Sequence, residues 1–170
     1  MKRAWTLALL LTTTACYGGM SADELAIQHL KQARDALEGK IKACERARTT
    51  TPPPEELQSE LRKFPSDKVQ QFLVSLSALN DYRCQEPETS RLVFVARAVV
   101  DDKEVSDEVR EKAADTARSL TSRYFAFVRL HQTAPEGLIE LGNHDYLQSP
   151  YDAMMVLGGL NTETGHSIED

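Results

Sequence analysis

From Ser21 onward the chain places apolar residues at spacings of three and four almost without interruption, the period of helices with one buried face. Ser21-Ala22-Asp23-Glu24 has the form of a capping box, and the helix it opens puts Ile27, Leu30, Ala33, Leu37, Ile41 and Cys44 on one stripe up to about Arg48. Three threonines and three prolines at 49–54 break the pattern, and a short helix with Leu57, Leu61 and Phe64 follows up to Pro65. Ser66 is read as the cap of the next helix, which turns Val69, Phe72, Leu73, Leu76 and Leu79 inward and runs to Cys84. Pro87 separates it from the segment 91–100, opened by Thr89 or Ser90. That segment is rich in β-branched residues and compatible with a buried strand; it reads as a core helix because the surroundings offer no strand to pair with.

The longest periodic segment starts at Ser106. Asp107 and Glu108 complement its N-terminal dipole, and Val109, Ala113, Ala117, Leu120, Tyr124, Phe127 and Val128 form a face through about His131. Two short helices are predicted beyond Pro135, at 136–141 and at 151–157, the second capped by Ser149 with Pro150 at its first position and stopped by Gly158 and Gly159. The prediction is an all-α fold, an irregular bundle of about five main helices plus short C-terminal helices.

The first residues follow different rules. Lys2 and Arg3 precede an apolar run at 4–11 and small residues at a cleavage point, the layout of an export signal and too short for a permanent membrane span. Thr13-Thr14-Ala15-Cys16 resembles the lipobox of bacterial lipoproteins, with Thr13 where Leu is usual. The resemblance covers 1–16 and implies removal of 1–15, diacylation of Cys16, usually acylation of its new amino group, and a periplasm-facing outer-membrane location, because Tyr17 is not the Asp that retains such proteins at the inner membrane. An ordinary secretory signal cut after Ala15 is the alternative. The expected division is a signal peptide at 1–15, a lipidated tether at 16–20, a helical domain at 21–160 and a flexible tail at 161–170. Four residues from Tyr17 to Met20 let the domain begin within roughly 18 Å of the membrane.

Export changes the reading of the other sulfurs. Cys44 and Cys84 become an even pair in an oxidising compartment, where a structural disulfide is expected and two buried free thiols are the alternative. If the first three helices run up, down and up, both cysteines lie near the upper ends of parallel helices. Closing a loop of about 40 residues stabilises the fold by roughly 4 kcal/mol.

Loss of Lys2 and Arg3 takes the formal charge from −6 to −8 with all 26 acidic residues retained. Such a balance argues against nucleic acid and polybasic membrane docking. The only tryptophan, Trp5, is in the leader, so the body lacks the best aromatic platform for sugars.

Candidate chemistry is sparse. Gly142-Asn143-His144-Asp145 is identical to the GNHD element of calcineurin-like metallophosphoesterases, a resemblance that implies a metal-dependent hydrolase. The Asp-x-His and Gly-Asp-x-x-Asp strings that family also needs are missing, and a turn after a helix end is the competing reading. His29, His131, His144 and His166 have no second histidine one helical turn away, and His131 suits a favourable charge at a helix C-terminus. Asp101, Asp102, Glu104, Asp107 and Glu108 lack the ligand alternation of a calcium loop. No catalytic residue, metal or cofactor is expected. The stretch 96–120 is similar to one HEAT-type hairpin, without a second copy.

The expectation is therefore a membrane-anchored, non-enzymatic protein-binding or assembly factor whose partner is an envelope protein. In architecture it is similar to pilotins, small helical lipoproteins with a disulfide; an immunity lipoprotein facing a basic toxin is a variant. Tyr146, Tyr151, Met154 and Met155 are the candidate partner surface, against the reading that they cover an end of the core.

Overall fold

In the computed structural model, which describes residues 19–161, the predicted capping box forms. Ser21 Oγ accepts from Glu24 N–H at 3.2 Å while the Glu24 carboxylate accepts from Ser21 N–H at 2.8 Å, and α1 (Ala22–Arg46) follows. α2 (Glu55–Leu61) is a two-turn helix after the prolines, α3 (Ser66–Asp101) is the longest element, with Pro65 at its cap and Ser66, expected there, already its first helical residue, and α4 (Asp107–Gln132) returns alongside it. Three short helices, α5 (Glu136–Leu141), α6 (Asp145–Gln148) and α7 (Ala153–Asn161), complete an all-α fold, with no strand among the described residues. No helix among them is long and apolar enough to cross a membrane. The leader, Cys16 and most of the expected tail lie outside the described residues.

α3 is the axis of the molecule, 36 residues and so about 54 Å long. The three packed layers alongside it are set by which of its faces is apolar at each level. Toward its C-terminal end, Ala96 and Val99 pack with Ala26 of α1 and Val109, Ala113 and Ala117 of α4; small residues there allow three helices to approach closely. One level down, Leu92 meets Ala33 and Leu37. At the other end, Val69, Phe72, Leu73 and Leu76 pack with Leu57 and Leu61 of α2 and with Leu138, Leu147, Tyr151 and Val156 of the C-terminal helices.

These contacts correct the expected direction of α1. Ala26 lies at the level of Ala96 and Val99, Leu37 at that of Leu92, and Cys44 is bonded to Cys84, so α1 descends as α3 ascends. The two helices are antiparallel. The disulfide itself is as expected, with Cα atoms 6.1 Å apart. α1 and then α2 make the descent, α3 climbs the full length and α4 descends again. Beside the disulfide, the Arg48 guanidinium pairs with Asp81 at 2.7 Å and fastens the end of α1 to α3 a second time.

The second correction concerns Pro87, which does not end a helix. The chain is helical on both sides of it, so 66–84 and 91–100 are parts of one element, and 91–100 is helical as expected. Proline removes one backbone donor and crowds the preceding turn, a local cost of about 3 kcal/mol. Packing against α1 and α4 over nearly the whole length outweighs it, and the disulfide three residues earlier holds the register. Pro87 is exposed, so Pro87→Ala is expected to restore a rung of the ladder and stabilise the protein by about 1–3 kcal/mol, read as a rise in Tm of several degrees.

At the C-terminal end α5 has the predicted bounds, but the second short helix does not: α6 precedes it unpredicted, and α7 starts later and runs further than 151–157. Residues 149–151 are extended, and Thr49 N–H donates to the Pro150 carbonyl at 2.9 Å in a single bridge between Thr49 and Tyr151. The extended stretch lets the Tyr151 side chain drop into the core, and Asp152 caps α7, its Oδ1 accepting from Met154 N–H at 2.8 Å. α7 continues through Gly158 and Gly159 to Asn161. Val156, buried beside Tyr151, and the partly buried Leu157 and Leu160 hold it to the core and offset two glycines.

On α1 the expected stripe holds from Leu30 to Cys44 and departs at its first position. Ala26 faces inward and Ile27 is exposed, because α1 meets the small-residue layer of α3 and α4 at this level and only an alanine fits.

Candidate functional site

Halfway along the α3–α4 pair the two helices enclose an open groove of about 520 Å³. Its walls are Tyr82, Val93 and Phe94 of α3 and Leu120, Tyr124 and Phe125 of α4, and Arg83 and Glu86 are the charged residues on its rim. The groove exists because small polar residues, Thr89, Ser90 and Thr121, sit between the large ones. The Thr121 hydroxyl is turned back onto its own helix, donating to the Ala117 carbonyl at 2.8 Å. Tyr82 and Tyr124 meet edge to face at 5.5 Å, and Tyr124 and Phe125 at 5.4 Å, so three of the rings brace one another. Burial raises the Tyr82 phenol above the ordinary tyrosine range, opposed by the nearby positive charge of Arg123.

Phe94 is 73% exposed and Phe125 50%, large for phenylalanines on a body this polar. Phe94 lies two residues from both Leu92 and Ala96, about 200° around the helix from the core stripe, so it cannot turn inward without displacing that stripe. Tyr124, expected on the inner face, is 41% exposed and belongs to the groove. These exposed rings make the groove the candidate contact surface among the described residues.

The residues expected to form a partner surface are not brought together as one. Tyr151 is completely buried: its hydroxyl donates to the Leu73 carbonyl at 2.8 Å, and its own carbonyl accepts from Ser77 at 2.9 Å. Burial drives its phenol far above the usual range. It covers an end of the core, as the competing reading held. Tyr146 is half-buried with its hydroxyl donating to the Thr51 carbonyl at 2.8 Å, and Met155 is half-buried. Met154 is exposed and, with Val74, borders a shallower depression of about 290 Å³ beside the Arg48–Asp81 pair.

Gly142-Asn143-His144-Asp145 forms the joint between α5 and α6. Gly142 is buried where an added Cβ would lie 3.0 Å from the Ile139 carbonyl oxygen and 3.3 Å from Phe72, so any larger residue would push those neighbours back by a few tenths of an ångström. His144 caps α6, its Nδ1 accepting from Tyr146 N–H at 3.2 Å, and Asn143 and Asp145 are exposed. Among the described residues no three His, Cys, Asp or Glu side chains converge as metal ligands. In the acidic turn between α3 and α4, Asp102 accepts from Glu104 N–H at 2.9 Å, and Ser106 N–H, left without its own side-chain cap, donates to Asp23 of α1 at 2.7 Å. That contact sets the start of α1 against the α3–α4 turn.

His131 behaves differently from a solvated helix-end charge. Its ring stacks on Phe72 at 5.5 Å and Nδ1 is buried without a partner. Burial, with the positive charge of Arg83, holds its pKa below the ordinary histidine value and overrides the helix dipole. Because the folded state disfavours the proton, this contribution to stability is present above the unfolded pKa of about 6.5 and is lost as pH falls through the lowered folded value. Denaturant melts at pH 7.5 and 5.0 are expected to differ less in His131→Gln than in the native protein.

Neither Phe94 nor Phe125 figured among the sequence-derived site residues, although both leave a signal there: each stands off its helix's inward stripe, on a face otherwise filled by Ser, Thr and Arg. No protein-family model, curated protein or solved structure matches this chain.

Proposed function

We propose that this protein is a lipid-anchored, non-enzymatic binding factor of the cell envelope, held to the membrane through Cys16 and engaging an envelope protein through the groove between α3 and α4. The observation that carries the reading is the groove itself: braced, concave and apolar, it leaves phenylalanine surface in water that a single folded chain gains nothing by exposing. The leader and the Cys44–Cys84 bond support an oxidising, extracytoplasmic setting. The Asp23–Ser106 contact puts the start of α1 at one tip of the long axis, the end that a lipid on Cys16 would hold near the membrane, and the groove begins about 10 Å along α3 from that tip, seven residues at 1.5 Å each. A site so placed serves a partner that is itself at the membrane.

The test is photocrosslinking in cells from benzoylphenylalanine at position 94, with Ile139, exposed near the opposite end, as the control position. A discrete adduct with one envelope protein from position 94, lost when Cys16→Ser abolishes anchoring, is the expected result. Equal labelling from both positions, or none from position 94, contradicts it.

A further inference from the structure

Resting on the reading of the groove as a binding site, we infer that its occupant is an acidic amphipathic segment of the partner, inserting apolar side chains between α3 and α4 while its carboxylates meet arginines along the rims. The argument is one of charge placement. The body as a whole is acidic, yet from residue 89 to 100 of α3 the only charged residues are Arg91 and Arg97, and from 116 to 132 of α4 they are Arg118, Arg123 and Arg129, with no carboxylate in either stretch. Arg83 adds a further guanidinium at the rim.

The carboxylates bordering these stretches are Asp81, held by Arg48 at 2.7 Å, Glu86, Glu88, Asp101, Asp102 and Asp115. Glu86 lines the groove, Glu88 is half-buried with one oxygen lacking a partner, and Asp115 pairs with Arg118 at 2.8 Å. Arg91, Arg97, Arg123 and Arg129 are all exposed. Arginines thus predominate on the helix stretches that form the groove, in a protein whose net charge has the opposite sign.

The shape selects a polypeptide over a lipid surface. A cleft of about 520 Å³ lies within the roughly 300–1,000 Å³ range that accepts a few inserted groups, and it is recessed between two helices. A helix laid along it presents anchors at i, i+3 and i+4 to Phe94 and Phe125 and carboxylates at its flanks. Guanidinium groups grip such carboxylates in forked pairs. The same arginines disfavour a basic partner, which runs against the immunity variant in which an acidic surface meets a basic toxin.

The experiment identifies the crosslinked peptide from position 94 of the full-length chain in cells and repeats the crosslink in Arg123→Glu and in Arg83→Glu, both exposed positions. The expected outcome is an adduct peptide with clustered Asp or Glu among Leu, Ile or Phe, whose yield drops at least tenfold in each charge reversal and recovers on reversing the partner's carboxylates to Lys. An adduct with a neutral or basic segment, or one indifferent to the reversals, overturns this inference and leaves the groove a binding site. Adducts with lipid alone, or no adduct, overturn both. Circular dichroism of each variant confirms the fold, so a loss of yield reads as a loss of contact.

Discussion

Removing the disulfide, by Cys44→Ser with Cys84→Ser or by reductant, is expected to lower stability by about 4 kcal/mol and Tm by roughly 8–16 °C. The bond closes a loop with a sequence separation of 40, and the unfolded chain recovers that loop's freedom when it is lost. The folded state loses something more specific. α1 is held to α3 at three levels: by Ala26 among the alanines near the tip, by Ala33 and Leu37 on Leu92, and by the bond at Cys44. Without the last, the C-terminal end of α1 keeps the Arg48–Asp81 pair, itself partly exposed and a weak substitute. Hydrogen exchange is expected to quicken first at the amides of residues 40–46, while those near Ala26 and Ala33 hold. Uniform loss of protection along α1 contradicts this account of how the helix is fastened.

Tyr151→Ala is expected to cost a similar amount by a different route. The side chain is fully buried in the core shared by α2, α3 and the C-terminal helices, and truncating a ring of that size removes about 3–5 kcal/mol. Tyr151→Phe keeps the ring and loses the hydroxyl's bond to the Leu73 carbonyl, for about 1 kcal/mol. The contrast separates packing from hydrogen bonding, and urea midpoints for the two variants measure it. If the two cost the same, the polar contacts carry this end of the fold. Those contacts are real: besides Ser77 on the Tyr151 carbonyl, buried Asn80 donates to the Leu147 carbonyl at 2.6 Å and to the Ser149 carbonyl at 3.2 Å. They fix the extended 149–151 stretch against α3.

The helices themselves were legible because their apolar period is strong and their starts carry caps. Ser21 with Glu24 is the clearest, and the paired cysteines follow from parity and compartment. Directions between helices were not legible. A stripe of apolar residues says which face is buried, and it says nothing of whether the neighbour runs up or down, so α1 was expected parallel to α3 and is antiparallel. Pro87 and the Gly158–Gly159 pair were read by their local cost, and both were overridden by packing, which local rules do not contain. Tyr151 followed the same logic in reverse: a tyrosine after Ser-Pro reads as a surface position until two buried polar partners on α3 are in place to receive it.

The groove was missed for a related reason. Its parts, Tyr82, Phe94 and the Tyr124–Phe125 pair, are separated in sequence and come together only because α3 crosses Pro87 unbroken and α4 returns beside it. A break at Pro87 would have separated Tyr82 from Phe94. The continuity of α3 therefore underlies the groove as well as the fold.

The proposal as a whole depends on where the chain resides, and the mass of its native amino-terminal peptide, recovered from envelope membranes, tests that most directly. The account predicts a peptide beginning at Cys16, heavier by its attached acyl chains, in a protein whose Cys44 and Cys84 resist alkylation until reduced. A peptide beginning at Met1, with both thiols open to alkylating reagent, would contradict it.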